Sequence, residues 1–330
     1  MGKAKFLLGR IKDMHYKQFF QTIEKMHKKS GKSRAFLFVD TIKTGLKYQA
    51  GYVDYLNAEM WNMNPAQKSD VITRGINNEY VIKYNDFDYT HFFLNKADFN
   101  AKFDKYLKRE WVEIDTDADK DKFLKIIEGK DEVIVKPLDE MGGTGVTKVK
   151  AVPESFEIVK TMLPALVEEL IQQDESLAEL NPSSVNSIRV VSFLKKDGTP
   201  VILAAYLRVG QGGVVDNFCS GGMLTAIDLE TGVVFGPGVD IDNNVFYNHP
   251  LTGKPLVGFQ VPCFEEIKAM VLEAALVVPQ VRYVGWDVSV SKKGPCFIEG
   301  NEYPGHVFFN FPQHHPDGKG QRSKFEAIMD

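Results

Sequence analysis

The segment VGWDVSVSKKGPCFIEGNEYPG carries Asp287 and Glu299 on two apolar runs joined by a short Lys/Gly/Pro turn, with Asn301 two residues beyond Glu299. If the runs pair around SKKGP so that Val290 faces Cys296, Asp287 lies opposite Glu299. Asn301 then shares the face of Glu299, because side chains alternate along a strand. The opposite face, built from Val284, Trp286, Val288, Val290, Cys296 and Ile298, is apolar enough to be buried. Two opposed carboxylates repel, so the arrangement asks for a cation. Mg²⁺ suits such a set, since it takes few protein oxygens and completes its octahedron with water and substrate phosphates. The plainer alternative is a surface hairpin with solvated charges.

Three further segments bear on anion chemistry. In VIVKPLDEMGGTGVTKVKA an apolar strand ends in Lys136 and a loop with Gly142, Gly143 and Gly145 precedes a second strand. Glycines let backbone amides approach phosphate oxygens, and a strand-borne lysine supplies fixed charge. Neither the P-loop spacing nor GxGxxG is present, so the pattern reads as a flap over phosphates or as an ordinary glycine-rich hairpin. LVEELI, Leu166 to Ile171, is a short strand with two acids that presents backbone groups and little else. In SVNSIRVVSFLKKDGTPVILAAYLRVGQGGVVDNFCSGGM, Asp197-Gly198 signals a two-residue hairpin turn pairing Lys196 with Thr199. Arg189 then lies opposite Tyr206 and Ser187 opposite Arg208, which puts both arginines on one face. Paired guanidinium groups inside apolar strands call for an anion between them, and Asn217 and Gly221-Gly222 follow as further donors.

The elements that carry these residues divide the chain into a helical, irregular part over 1–95, a region over 96–175 and a strand-rich part over 176–330. Asn95 caps a helix from Lys96 to Leu107, and Asp119 a shorter one ending at Gly129. Strands are expected at Glu132 to Lys136 and Val146 to Val152, with a helix from Glu154 to Met162. At 330 residues, 44% hydrophobic and 25% charged, the composition is that of a globular protein with two or three lobes. No run of eighteen apolar residues and no signal-peptide pattern is evident, and Cys219, Cys263 and Cys296 have no metal spacing, so a reduced, cytoplasmic setting is expected. The net charge of −4 conceals ten Lys/Arg against Asp13 and Glu24 in residues 1–34. That stretch has a helical stripe of Leu7, Ile11, Met14, Phe19, Ile23 and Met26 beside Phe20. It fits peripheral contact with an anionic membrane or an acidic partner, or else a helix packed on its own domain. Nucleic acid is not expected, because the basic residues stay in this segment and no recognition motif follows. His306 is a candidate contact for a substrate or a loop histidine, and His314-His315 read as surface loop residues.

The order Lys136, glycine-rich flap, Glu-Glu-x-Ile, Arg189, Arg208, Asn217, Gly-Gly, Asp287, Glu299-x-Asn301 and Pro304-Gly305 resembles the ATP-grasp superfamily over about residues 90 to 310. GLKYQAGYVDYLNAEMWNMNPAQKSDVITRG, Gly45 to Gly75, also resembles the lead-in of the sugar-transfer-associated ATP-grasp group, whose name does not define a reaction. The resemblance implies an α+β ATP-grasp fold: two α+β lobes clasping ATP, with a helical N-terminal extension. Residues 96–175 would be the lid and 176–330 the lobe with the metal and phosphate site. It implies that Lys136 holds ATP phosphate, that the flap of Gly142, Gly143, Thr144, Gly145 and Val146 covers the triphosphate, and that Glu168, Glu169, Leu170 and Ile171 form the adenine hinge. Asp174 or Glu175 would bind ribose. Arg208 and Asn217 would steady the transferring phosphoryl group, with Arg189 a second anion contact. Asp287, Glu299 and Asn301 would hold one or two Mg²⁺ ions, for which Mn²⁺ can substitute. Glu302 and Tyr303 depart from the small residues usual before Pro304-Gly305.

The implied activity is an ADP-forming carboxylate-amine ligase working through an acyl phosphate, on a sugar-linked or cell-envelope building block. A carboxylate is a poor electrophile until phosphorylated, and positioning with charge neutralisation does the remainder without a covalent nucleophile. The alternatives are an ATP-grasp kinase phosphorylating a hydroxyl and a catalytically silent nucleotide-binding module in an envelope-assembly complex. The full Asp287, Glu299 and Asn301 set argues against the last.

Overall fold

The computed structural model describes residues 15–138, 145–212, 218, 221–315 and 317–329. The chain divides into a first unit, residues 1–83 with 305–330, and a second, residues 84–304.

The first unit is helical. Helices α1 (Tyr16–Ser30), α2 (Arg34–Tyr48), α3 (Tyr52–Asn57), α4 (Pro65–Ser69) and α5 (Arg74–Tyr84) are followed, after the second unit, by a short helix over Arg322–Glu326. Local chemistry sets the boundaries. Gly31, at φ +71°, closes α1 by donating its N–H to His27 O, and the Ser33 hydroxyl then accepts from Phe36 N to open α2. Asn64 and Gln67 form a capping box with Pro65 at the first helical position. Phe19, Ile23 and Met26 of α1 are buried with Leu37, Tyr55, Met60 and Trp61. This half of the expected stripe therefore covers the unit's own core. Leu7, Ile11 and Met14 lie outside the described residues. His314, expected at the surface, is buried against the Phe311 ring.

The second unit holds two sheets. Strands β1 (Trp111–Ile114), β2 (Glu132–Pro137), β3 (Thr147–Lys150) and β4 (Ala165–Glu169) form an antiparallel sheet in the order β1-β4-β2-β3. It is backed by α8 (Lys120–Ile127) and α9 (Phe156–Lys160), with Phe123, Ile126, Phe156 and Val159 packed on Val133, Val135 and Val167. The larger sheet runs β11-β10-β5-β6-β7-β8-β9 and is antiparallel throughout. Its members are β5 (Ser187–Leu194), β6 (Pro200–Val209), β7 (Met223–Ala226), β8 (Gly238–Asp240), β9 (Val245–Phe246), β10 (Tyr283–Ser291) and β11 (Gly294–Asn301). Before the smaller sheet come α6 (His91–Leu94) and α7 (Lys96–Phe103), and α10 (Glu175–Leu180) and α11 (Phe264–Ala274) flank the larger one. Asn95 caps α7 through Ala97 N and Asp98 N as expected. Asp119 instead turns back to Asp115 N and Thr116 N, so the cap before α8 is Thr116. Among the described residues no helix is long and apolar enough to cross a membrane.

Both hairpins of the large sheet depart from expectation at the turn and rejoin it further along. Around Asp197-Gly198, Lys195 N donates to Thr199 O and Gly198 sits at φ +86°, so the loop has three residues and pairs Leu194 with Pro200. A bulge that inserts Leu203 shifts the register by one, and Arg189 pairs with Tyr206 and Ser187 with Arg208. In β10–β11 the turn pairs Ser291 with Gly294 and Val290 with Pro295, not with Cys296. Inserting Ile298 restores Asp287 opposite Glu299 and Gly285 opposite Asn301. The bulge also corrects the buried face. Phe297, not Cys296 or Ile298, joins Trp286 and stacks on it at 4.8 Å. Cys296 is buried on the side of Ser289, and Ile298 is half-buried.

Trp286 and Phe297 anchor an aromatic core with Phe93, Phe99 and Phe103. Gly300 closes the gap. A Cβ there would stand 2.8 Å from both the Phe93 and the Phe99 ring. Gly300→Val is therefore expected to destabilise the protein by about 1–3 kcal/mol through overpacking. Urea unfolding measures this, and an unchanged midpoint would contradict the packing described.

Candidate functional site

Register fixes a row of side chains on one face of the large sheet. Glu299 on β11 pairs with Asp287 on β10, Asp287 with Arg189 on β5, and Arg189 with Tyr206 on β6. Arg208, two residues on from Tyr206, shares that face. Arg189 Nε donates to Asp287 Oδ1 at 2.5 Å and its Nη2 to Oδ2 at 2.9 Å, while Arg208 Nη1 donates to the same Oδ2 at 2.7 Å. One carboxylate, 2% exposed, thus holds two guanidinium groups together. Burial pushes the Asp287 carboxyl up, but the two guanidinium charges outweigh it and hold it well below the usual carboxylate range. Gly285 makes room, since a Cβ there would lie 3.3 Å from Arg189 Nη1.

Glu299 experiences the opposite balance. Desolvation raises its carboxyl, and the neighbouring Asp287 carboxylate raises it further. A site that favours a proton on one of two facing carboxyls is one that positive charge stabilises, so the donor set fits a hard divalent cation. Asn301 stands two residues along the same face and donates Nδ2 to Gly285 O at 3.3 Å, which leaves the amide oxygen as its acceptor. Among the described residues no three His, Cys, Asp or Glu side chains gather as a metal cluster, and this site itself offers two carboxylates and an amide.

The second cluster belongs to the small sheet. Glu168 on β4 is 2% exposed and accepts from Arg109 Nη2 at 2.8 Å and Asn100 Nδ2 at 2.8 Å, and it also pairs with the Lys136 ammonium. Burial alone would raise the Glu168 carboxyl, but Arg109 and Lys136 outweigh it and bring it down to about 2. The Glu168 side chain therefore fixes Lys136, while Arg109 Nη1 also donates to Phe297 O of the large sheet at 2.5 Å. Arg109 and Asn100 escaped the sequence reading. The recoverable signal is Asn100, which falls on the apolar side of a helix between Phe99 and Phe103.

Past the strand, Glu169 accepts from Glu110 N and lies 3.4 Å from the Lys293 ammonium, and Leu170 and Ile171 line a small cavity with Leu107, Arg109 and Cys296. Asp174 caps α10 through Ser176 N, and Glu175 is exposed in the first turn of that helix. Of the flap, Gly145 at φ +72° and Val146 are described; Gly142, Gly143 and Thr144 lie outside the described residues, as do Asn217 and Cys219. In the first unit, His306 Nε2 is 2.8 Å from Asp54 Oδ1, and Asp54 Oδ2 accepts from Gly51 N and Arg74 N.

The profile of the family described as sugar-transfer associated ATP-grasp matches residues 154–322. Among solved structures, the chain is similar to D-alanyl-alanine synthetase A from Vibrio cholerae O1 biovar eltor, at 14% identity over 72% of this chain and 63% of that one, with a TM-score of 0.43. It is also similar to a D-cycloserine synthetase, at 14% identity over 69% and 68% of the two chains and a TM-score of 0.44. A third is the ADP complex of N5-carboxyaminoimidazole ribonucleotide synthetase, at 10% identity over 80% and 62% and a TM-score of 0.46. The chain spans less than two thirds of the length of the first and third of these. No curated protein matches it.

The Glu168 cluster gives a pH signature. Its carboxyl sits near 4.3 when unfolded and at about 2 when folded, so its stabilisation, about 3 kcal/mol, is present above pH 4.3 and lost as pH falls through 2. The stability gap between the native chain and Glu168→Gln should close by that amount between about pH 4.3 and pH 2. Chemical denaturation along a pH series measures it, and a gap that stays constant would show that no ion pair holds Glu168.

Proposed function

The chain belongs to the sugar-transfer associated ATP-grasp family, and from that premise we propose that it is an ATP-dependent, ADP-forming carboxylate-amine ligase acting on sugar-linked small molecules in the cytoplasm. The single observation that carries the reading is the Asp287 carboxylate clamped between Arg189 and Arg208, with Glu299 and Asn301 in register beside it. Buried arginines on a rigid sheet are preorganised to neutralise charge that develops during transfer, and they cost no reorganisation at that moment.

In this reading the small sheet, within residues 96–175, lies over the nucleotide as a lid and presents Lys136 to the ATP phosphates, with Glu168 as its positioning residue. Gly142 to Val146 cover the triphosphate, and the backbone of Glu168 to Ile171 meets the adenine edge. Asp174 or Glu175 would meet the ribose hydroxyls; the first caps α10 through Ser176 N and the second is exposed in the first turn of that helix. The large sheet, within 176–330, carries the transfer site. Asp287, Glu299 and Asn301 would hold Mg²⁺, which supplies charge neutralisation to the triphosphate when bound. A substrate carboxylate oxygen attacks the γ-phosphorus and ADP leaves. The amine nitrogen then attacks the acyl carbon, the phosphate departs, and the nitrogen gives up a proton. Arg208, with Asn217, steadies the anionic oxygens through both steps and Arg189 holds Arg208's partner in place.

With ATP, Mg²⁺ and pooled carboxylates and amines, the protein should release ADP and phosphate and yield a condensed mass. Withholding the amine and adding hydroxylamine should trap a hydroxamate; a stable phosphate ester in its place would mark a kinase, and AMP with pyrophosphate would sink the reading. Arg208→Ala should lower kcat by about 10²-fold or more, as loss of one charge-stabilising donor does. Glu299→Gln should abolish turnover with the fold retained. Asp287→Asn is a poorer probe, because it leaves two buried guanidinium groups facing each other and is expected to cost about 3–5 kcal/mol of stability.

A further inference from the structure

Helix α2 of the first unit is apolar on the wrong side for an ordinary surface helix. It turns Thr41 and Thr44 inward with Leu37, Thr44 being 2% exposed, and leaves Phe38, Val39, Ile42 and Leu46 outside, Leu46 at 55%. Those four positions recur at helical spacing and form one stripe. On α1, Tyr16 and Phe20 are exposed as well, and the Phe20 ring stacks on Phe38 at 6.2 Å, so the apolar surface crosses both helices. Exposed lysines border it: Lys43 one turn beyond Val39, Lys47 one turn beyond Lys43, and Lys17 one turn before Phe20. Residues 15–48 hold eight Lys/Arg against Glu24 and Asp40. The sequence just before continues the pattern, with Lys3, Lys5, Arg10 and Lys12 among Phe6, Leu7, Leu8 and Ile11.

We propose that the outer face of α1 and α2 docks on an anionic lipid surface. A contiguous exposed apolar patch marks a contact, and its chemistry selects among occupants. An apolar stripe with lysines along its border is the arrangement of a helix lying in a membrane interface, apolar residues at the acyl boundary and ammonium groups among the headgroups. A second copy of the chain is disfavoured, because a two-fold contact sets each patch against its own like and would bring two strongly basic faces together. The ligase chemistry proposed for the second unit does not need this face, so turnover in solution and lipid binding are separable.

The test is cosedimentation of the full-length protein with vesicles of phosphatidylcholine alone and of phosphatidylcholine with phosphatidylserine, at low and high salt. Ile42→Glu/Leu46→Glu and Lys43→Gln/Lys47→Gln are run beside it. Binding is expected with phosphatidylserine vesicles only, and it should weaken as salt screens the headgroups. The apolar double change should reduce it at least tenfold, and each lysine removed by about fivefold. Both variants should unfold at the native midpoint, since their side chains are exposed. Absence of sedimentation with phosphatidylserine vesicles overturns the proposal, as does binding that survives Ile42→Glu/Leu46→Glu unchanged. A dimer, or capture of polyglutamate, that these changes abolish in the absence of vesicle binding also overturns it and assigns the face to a protein.

Discussion

One carboxylate shared by two arginines is the constraint on which the large sheet depends. Two guanidinium groups this close inside a sheet repel by several kcal/mol at the effective dielectric of such sites, and Asp287 between them turns that repulsion into attraction along three hydrogen bonds. The neighbours follow from it. A side chain at position 285 would press on Arg189 Nη1 and on the Pro304 backbone, each 3.3 Å from where its Cβ would stand. Glu299, next in the row, cannot ionise easily beside a carboxylate that is locked in its charged form, which makes it the acid whose state a bound cation would decide. Breaking the clamp leaves uncompensated charge in the interior, so the residues proposed to set the electrostatics of transfer also govern stability.

The Glu168 cluster applies the same logic to a lysine. An ammonium on a strand end has rotational freedom that a phosphate contact would have to remove, and a buried carboxylate removes it in advance. Arg109 does more than share that carboxylate. By donating to Phe297 O it connects the edge of the small sheet to the strand that carries Glu299 and to the aromatic core behind it. Through Arg109 the two sheets are thus joined by directional polar bonds, beside the apolar packing of Trp111 of β1 on the core of the large sheet.

Much of this was legible because strand alternation and opposed charges are strong signals. The pairs Glu299 with Asp287 and Arg189 with Tyr206 follow from residue types and hairpin pairing, whereas the sequence did not show that β10 lies beside β5, which makes Asp287 itself the anion between the two arginines. Arg109 was not legible, since a lone arginine in Leu-Lys-Arg-Glu-Trp looks solvated and only the tertiary structure buries it, whereas Asn100 left a signal in its place between Phe99 and Phe103. Helix α2 misleads in the other direction: its hydrophobic residues suggest a core face, whereas only Leu37 of them turns inward, with Thr41 and Thr44, among the buried residues of the helix. Phe19, Ile23 and Met26 behave as a local core stripe should, so the basic N-terminal segment divides its apolar residues between interior and exterior.

The two hairpins show why the site survived an error about their turns. A one-residue slip moves every side chain to the other face. Carried through from the turns without correction, the observed turn registers would set Asp287 opposite Ile298 and Arg189 opposite Ala205. Glu299 would then share the core face with Trp286, and Arg208 with Ile188. The bulges at Ile298 and Leu203 absorb that residue before the row begins. Turn chemistry is local and is satisfied by Gly294 and Gly198 in left-handed conformations. The site register answers to a separate demand, apolar side chains behind the sheet and charges in front. Where the two demands disagree by one residue, a bulge costs a ladder bond, whereas a slipped register would bury a carboxylate and a guanidinium in an aromatic core. The second cost is much the larger, so the bulges belong to the construction of the site.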